Sequence, residues 1–396
     1  MGFLTNLFAA MAVNGYNQSR NHVASHHFDF LPVNGNLILC GGQKGQIQQN
    51  GSYRLTFAEE IKLNTFYLSM QQAAAQKQGA VCLYSAERFP TPDFSRSNVP
   101  QEQIIQFGTD ISYLPLDTNN IGMERAAWFF QRIIRSYGDR CKANIQVISS
   151  VMQMLLSVLA EEQYITLDNL KKIIKPMNHS QIAFEQNVKS LTHRSEFHME
   201  NFLTLSWDNI VREFLPFWND FCYALPTVPN APTFSLYTAM LEKKLCIFRI
   251  SSGNLMLKDI LLSEMALLNE KLSYYHLIDY YVSLEQEKEY HCFANQTIRL
   301  IGDSFRTMGI SDIFISDPTV LCLGVHAADA QEIIDKTVPS SAWLQTTFGL
   351  GNGGHVDFTG SERKPITPAM LSLSQIPDGS AYQINHSGFL FIRNLL

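Results

Sequence analysis

The strongest constraint on the fold is an alternation of short apolar runs with helix-length segments. Leu37–Cys40 is wholly apolar and ends in glycines. A helix-like stretch, Thr65–Gln78, then stops at Gly79, and a second run follows at Ala80–Tyr84. Ile104–Phe107 reads as a third strand. Runs of four to six residues with no polar alternation suit strands buried on both faces, and strand–helix–strand order joins such strands in parallel. The same texture returns late in the chain. Leu245–Ile250 is strand-like, Leu255–Glu270 an amphipathic helix, His276–Asp279 a strand, Tyr290–Met308 helix-like, and Val320–Gly324 a strand. Turn chemistry at 351–354 and 377–379 among short alternating segments predicts hairpins in the tail.

Between these halves the spacing changes. Apolar residues recur at helical intervals in Ala126–Ile134 and Ile145–Leu159. Thr166 is placed to cap a helix through Ile174 that ends near Pro176, and Phe202–Phe221 is helical and rich in Trp and Phe. The prolines Pro226, Pro229 and Pro232 mark an extended return. The expected architecture is α/β, a mainly parallel sheet flanked by helices, with an all-helical insertion. Its parts are an N-terminal segment 1–35, an α/β core 36–121 and 226–396, and the insertion 122–225.

Composition narrows the partners. A hydrophobic share of 46% and a charged share of 17% describe a well-cored protein rather than a disordered one. The net charge of −6 offers no bulk basic face, so nucleic acid is not expected as a strong ligand. The seven cysteines are scattered without a C-x-x-C pair, which suggests neither a zinc ribbon nor a redox motif and fits a reduced, cytoplasmic setting. The apolar residues 1–13 are too few to span a bilayer and lack a basic n-region, and Asn6 departs from the myristoylation pattern. They are expected to dock as a helix on the protein itself or a partner.

Two places invite a chemical reading. The first is the loop Gly41–Gln46 after the strand Leu37–Cys40. A buried strand running into glycines and a lysine is how a phosphate-binding loop begins, with backbone N–H groups around phosphate oxygens and the lysine on the terminal phosphates. Gly41, Gly42, Lys44 and Gly45 are the candidate nucleotide-binding residues. However, Lys44 precedes Gly45, and Gln46 stands where a magnesium-binding hydroxyl is needed. A plain strand-to-loop turn explains the same residues. The second place is Asp279, at the end of a strand, where triphosphatases hold magnesium. Tyr280 follows it instead of a glutamate, and a phenol with a pKa near 10 is a poor base at neutral pH. An ordinary strand-end cap accounts for Asp279 equally well.

Other clusters carry less. His22, His26 and His27 have only Asp29 beside them as a further ligand, and His193 and His198 are spaced poorly for one helix face. The glycines of Gly349–His355 suit a hairpin or surface loop, because no helix clearly follows them. No G-x-S-x-G elbow and no H-E-x-x-H motif occurs.

Taken in order, the segments resemble the type IV coupling-protein branch (VirD4/TraG-like) of the FtsK/HerA-like P-loop ATPases, the motors of conjugation and secretion. The glycine loop stands at the family's Walker A place, Val81–Ser85 at its second strand, and Pro115–Asp117 at the lead-in to its all-alpha domain. Leu277–Tyr280 stands at Walker B. Arg306–Ser311 looks like its R-x-x-G-I-S segment, and Ile376–Tyr382 like its closing hairpin. The resemblance implies a RecA/FtsK-like layout, protein partners in a larger assembly, and peripheral membrane association through a membrane-bound partner.

The departures imply loss of catalysis. The Lys-Ser/Thr pair and the Walker B glutamate are missing, and His326 stands near where a glutamine sensor belongs. The family's N-terminal membrane helices have no counterpart in these residues. Phosphoryl transfer depends on positioned charge, so such losses point to a pseudo-ATPase acting as scaffold or adaptor, with no cofactor or at most weak ATP–magnesium binding. A divergent active ATPase that moves DNA or protein, and a structural component without nucleotide binding, are the alternatives. Trp207, Phe214 and Trp218, with Phe217, are the first candidates for a partner surface, and the insertion's own core is the competing explanation.

Overall fold

The structure is a computed structural model. It describes residues 35–42, 46–47, 53–54, 56–86, 93–116, 122–161, 165–191, 206–271, 275–280, 282, 296–301, 319–337, 342–346, 358–362, 366–372, 375–378, 380–385 and 388–392. In chain order the first elements are β1 (Gly35–Cys40), β2 (Gln46–Ile47), β3 (Tyr53–Arg54), α1 (Phe57–Ala75), β4 (Gly79–Ser85), β5 (Ile104–Phe107) and β6 (Ser112–Tyr113). Helices follow: α2 (Met123–Cys141), α3 (Ile145–Glu161), α4 (Leu167–Ile174), α5 (Gln181–Leu191), α6 (Trp207–Asn209) and α7 (Leu215–Ala224). Then come β7 (Thr233–Phe234), α8 (Leu236–Leu241), β8 (Leu245–Ile250), α9 (Leu255–Lys271), β9 (Tyr275–Tyr280), β10 (Gln296–Ile301), β11 (Thr319–Cys322) and α10 (Ala327–Thr337). The last strands are β12 (Ala342–Thr346), β13 (Phe358–Glu362), β14 (Ala381–Asn385) and β15 (Gly388–Ile392).

The chain divides into two compact units, one formed by 1–69, 285–291 and 296–396, the other by 70–284 and 292–295. In the first, the strand order is β15-β14-β11-β1-β10. β1 pairs in parallel with both β10 and β11, and β14 and β15 complete this unit's sheet as an antiparallel hairpin. Leu37–Cys40 are at most 1% exposed, which is why this strand carries no polar alternation. Each such aliphatic side chain contributes about 1.5–3 kcal/mol by leaving water. Ile38, Cys40, Val320 and Cys322 pack with Ile333 and Ile334 of α10 and with Leu371 in one apolar cluster. The hairpin expectation holds for 351–354, which fall between the antiparallel partners β12 and β13, but 377–379 precede β14 rather than turn between it and its antiparallel partner β15.

In the second unit the order is β9-β4-β8-β5, all parallel. Between Met123 and Ala224 every described element is helical. In α2 the residues Ala126, Phe129, Phe130, Ile133, Ile134 and Tyr137 form one buried face at helical spacing. Lys142, at φ 54°, ends the helix in the left-handed region, and Asn144 caps α3 by accepting the Val147 N–H at 3.3 Å. The turn between them is tight because position 138 is glycine: a Cβ there would lie 2.2 Å from Ile145. Thr166 caps α4 as expected, accepting from Asn169 N–H at 3.2 Å, and Pro176 sits in the 3-10 turn Lys175–Asn178. The π-helical turn Ile210–Phe214 joins α6 to α7 just before Pro216, where a proline interrupts the regular hydrogen-bond ladder.

The two ends of the helical insertion lie side by side. β6 pairs with β7, Tyr113 N–H donates to Pro226 O at 2.8 Å, and Ser112 Oγ both donates to Val228 O (3.1 Å) and accepts from Val228 N–H (2.8 Å). The proline-marked return is thus an extended strap hydrogen-bonded to the lead-in. Leu116, fully buried at φ 64°, follows that lead-in in a conformation bulky residues rarely adopt.

Two expectations need correction. The segment Tyr290–Met308 was expected to be helical, yet residues 296–301 form β10, paired along their whole length with β1. Ile298 and Leu300 alternate with Thr297 and Arg299, a strand period that a short helical reading also accommodates. Helix α1 begins at Phe57, well before Thr65, for a reason given below. The residues 1–34, Asp117, His193, His198, Arg306–Ser311 and 349–355 lie outside the described residues, so the expectations made for them stand apart from the structure. Among the described residues no helix is long and apolar enough to cross a membrane.

Candidate functional site at the end of strand β1

β1 ends in two glycines at positive φ, Gly41 at 81° and Gly42 at 88°. Their conformation is set by what they touch. A Cβ on Gly41 would lie 2.0 Å from Gly324 O, and one on Gly42 would lie 2.2 Å from Ala58 Cβ. The turn is also bonded to the end of β11. Gly42 N–H donates to Gly324 O at 2.7 Å, and Leu323 N–H donates to Cys40 O at 2.9 Å. In a phosphate cradle a loop amide like that of Gly42 would face the ligand; here it is spent on a neighbouring backbone carbonyl.

The start of α1 is closed as well. Thr56 and Glu59 form a capping box: Glu59 Oε2 accepts Thr56 N–H at 2.9 Å, and Thr56 Oγ1 accepts Glu59 N–H at 3.4 Å. Glu59 is 5% exposed, so its carboxyl group occupies the helix N-terminus, the position at which a bound phosphate would sit. A short antiparallel ribbon, β2 with β3, separates the glycines from this helix and pairs Gln46 with Arg54. A phosphate loop instead runs directly into its helix.

One turn further along α1, Lys62 is 1% exposed and its ammonium donates to Gly41 O at 2.5 Å. Cys40 and Cys322 face each other in register on β1 and β11, both fully buried. The Cys40 thiol is held well above its usual pKa, first by its hydrogen bond with Cys322 and then by burial. The Lys62 charge opposes that rise and the buried Asp329 adds to it.

The sequence candidates are therefore distributed as follows. Gly41 and Gly42 lie at the C-terminal end of a parallel strand in the first unit, while Lys44 and Gly45 lie outside the described residues. Asp279 belongs to β9 in the second unit and pairs in register with Leu83. It is 4% exposed, and its Oδ1 accepts Val282 N–H at 2.9 Å, closing the turn after the strand. Lys258 donates to Val282 O at 3.2 Å from α9. Tyr280 is fully buried. Among the described residues no group of three His, Cys, Asp or Glu side chains could hold a metal ion.

The aromatic helix needs a correction too. Phe214 and Phe217 are fully buried and Trp218 is 4% exposed. The Phe214 and Trp218 rings lie parallel with centroids 6.5 Å apart, Trp218 stacks on Phe221 at 5.5 Å, and Phe217 meets Tyr137 of α2. These rings are the insertion's core, and a partner could reach them only if that core opened. Trp207 is half-buried, its ring 5.8 Å from Phe184 of α5.

Glu59, Lys62 and Gly324 went unnoticed in the sequence reading. The Thr56-x-x-Glu59 pattern was there to be read as a helix start. Nothing local to Lys62 or Gly324 announces their meeting with Gly41.

Solved structures similar to this chain include the following two. One is the bacterial conjugative coupling protein TrwBdeltaN70 in its unbound monoclinic form, with a TM-score of 0.47 and 10% identity over 91% of this chain and 84% of that one. The other is VirB4 of Thermoanaerobacter pseudethanolicus, with a TM-score of 0.43 and 8% identity over 91% of this chain and 89% of that one. No protein-family profile matches the sequence. No curated protein sequence matches it either.

Proposed function

We propose that this chain is a catalytically degenerate P-loop-type protein, a pseudo-ATPase that serves as a scaffold or adaptor in a conjugation- or secretion-type machine. The observation that carries the reading is the internal saturation of the loop end. The Gly42 amide is given to Gly324, the start of α1 is filled by the Glu59 carboxyl group, and the Gly41 carbonyl is held by Lys62. An incoming triphosphate would meet a carboxylate where it needs a dipole and a donor. Asp279 is engaged as a strand-end cap, with Tyr280 where a water-polarising base would be needed. Phosphoryl transfer without a phosphate cradle, a metal hydroxyl or that base loses most of its positioning and charge stabilisation.

The machine context is supported by the ordered series of segments, from the glycine loop through Pro115–Asp117 and Leu277–Tyr280 to Ile376–Tyr382. In this reading the protein acts in the cytoplasm on protein partners, and any membrane association comes through one of them. The test is equilibrium binding of ATP with and without magnesium, together with a turnover assay. The expected result is no magnesium-dependent tight binding and no turnover above background. Tight, magnesium-dependent binding with turnover abolished by Lys44→Ala and by Asp279→Ala would overturn the proposal.

A further inference from the structure

We propose that Lys62 is a built-in cation whose hydrogen bond to the Gly41 carbonyl locks the Gly41–Gly42 turn against residues Leu323–Val325 just past β11, so that this joint is closed without any ligand. The lock deepens the reading of the loop end given above, since it explains what orders the turn in the place of a bound phosphate. Taking an ammonium out of water opposes folding unless the charge is well paired. A methionine would fill a similar volume without that penalty. The lysine therefore does something that packing does not.

Its geometry says what. The ammonium reaches the carbonyl of Gly41, which sits past the last β1 residue paired with β10 or β11. On the other side of the same peptide link, Gly42 N–H is bonded to Gly324 O. Lys62 thus holds one side of the link while β11 holds the other. Ala58, one turn earlier on α1, presses its methyl group toward Gly42, within 2.2 Å of where a Cβ would be. The strand end and the first two turns of α1 are thereby joined at one cation.

The test uses the full chain and two readouts. The first is acetylation of native protein by an amine-reactive ester, followed per lysine by mass spectrometry. Lys62 should react at least about tenfold more slowly than exposed Lys142 and Lys243, with its rate unchanged by magnesium–ATP. The second is hydrogen exchange in Lys62→Met. Protection of the Gly42 and Leu323 amides should fall by about tenfold or more, while the Val81 and Ile247 amides keep theirs. Labelling of Lys62 as fast as Lys142, or unchanged protection at Gly42 and Leu323 in folded Lys62→Met, would overturn the lock. Should Lys62→Met not fold, the wild-type labelling rates decide alone. Magnesium–ATP turnover sensitive to Lys44→Ala would overturn the proposed function, and the lock would still be judged by the exchange of these two amides.

Discussion

Replacing Gly42 by alanine separates two explanations of the glycine loop. If the glycines serve a bound phosphate, the ligand-free protein has little reason to feel the change. If they serve packing, the ligand-free protein loses stability. The structure puts the new Cβ 2.2 Å from Ala58 Cβ, an atom fixed to the helix backbone that cannot swing aside. At φ 88° the alanine also carries left-handed strain of about 1–2 kcal/mol. Relieving the overlap means moving the turn from α1, at an overpacking penalty of about 1–3 kcal/mol. That movement weakens the 2.7 Å bond from Gly42 N–H to Gly324 O, which contributes about 0.5–1.5 kcal/mol. Reduced chain entropy in the unfolded state returns about 0.4–1 kcal/mol. The net expectation is a loss of about 3 kcal/mol, read as a lower urea midpoint without added nucleotide. Gly253→Ala is the control, because nothing lies within 4 Å of its Cβ position. It should be neutral or stabilising by under about 1 kcal/mol. Equal stability of Gly42→Ala and wild type would refute the packing explanation and return the loop to the ligand.

Three further outcomes are expected. Ser112→Ala removes both bonds that strap Val228 to the lead-in, and should lower stability by about 1–3 kcal/mol, with faster hydrogen exchange at Val228 and Tyr113. Tyr113→Phe removes the donor that buried Glu264 accepts, a loss of about 1–3 kcal/mol near neutral pH. The Tyr113 phenol is held well above its usual pKa by burial and by Glu264, so its stabilising share is complete below about pH 10 and falls as pH rises beyond it. Urea midpoints measured from pH 9 upward should therefore decline less steeply in Tyr113→Phe than in wild type. Alkylation by iodoacetamide at pH 8 should follow exposure and thiol acidity. Among the described cysteines, exposed Cys141 should react first, Cys222, pushed up to about 11 by burial, much more slowly, and Cys40, Cys82, Cys246 and Cys322 only on unfolding, as peptide mass spectrometry would show.

Much of the sheet was legible because its strands are buried on both faces. β5 and β8 were found at their observed bounds, and β1, β4, β9 and β11 to within a residue or two, since an apolar run flanked by glycine or turn residues has few other uses. The helical insertion was legible for the complementary reason, a steady 3.6-residue spacing. β10 was misread because six residues with an apolar face satisfy either period, and its strand state is decided by pairing with β1, far away in sequence. The site was legible only as a place. Gly41 and Gly42 drew attention as candidate nucleotide-binding glycines, while what their backbone meets, a carbonyl at Gly324 and a methyl group at Ala58, lies in contacts that a linear reading does not contain. Phe214 and Trp218 show the same limit, because an aromatic-rich helix looks alike whether its rings face a partner or its own core.

The strap between Ser112 and Val228 has one more consequence. Because the helical insertion leaves and returns at neighbouring points, β5 and β8 can pair in the same register whatever the length of chain between them. Closing that gap carries an entropy penalty that grows only with the logarithm of loop length. A helical body of this kind can therefore be gained, enlarged or exchanged as a cassette in evolution, with the strands beneath it keeping their partners.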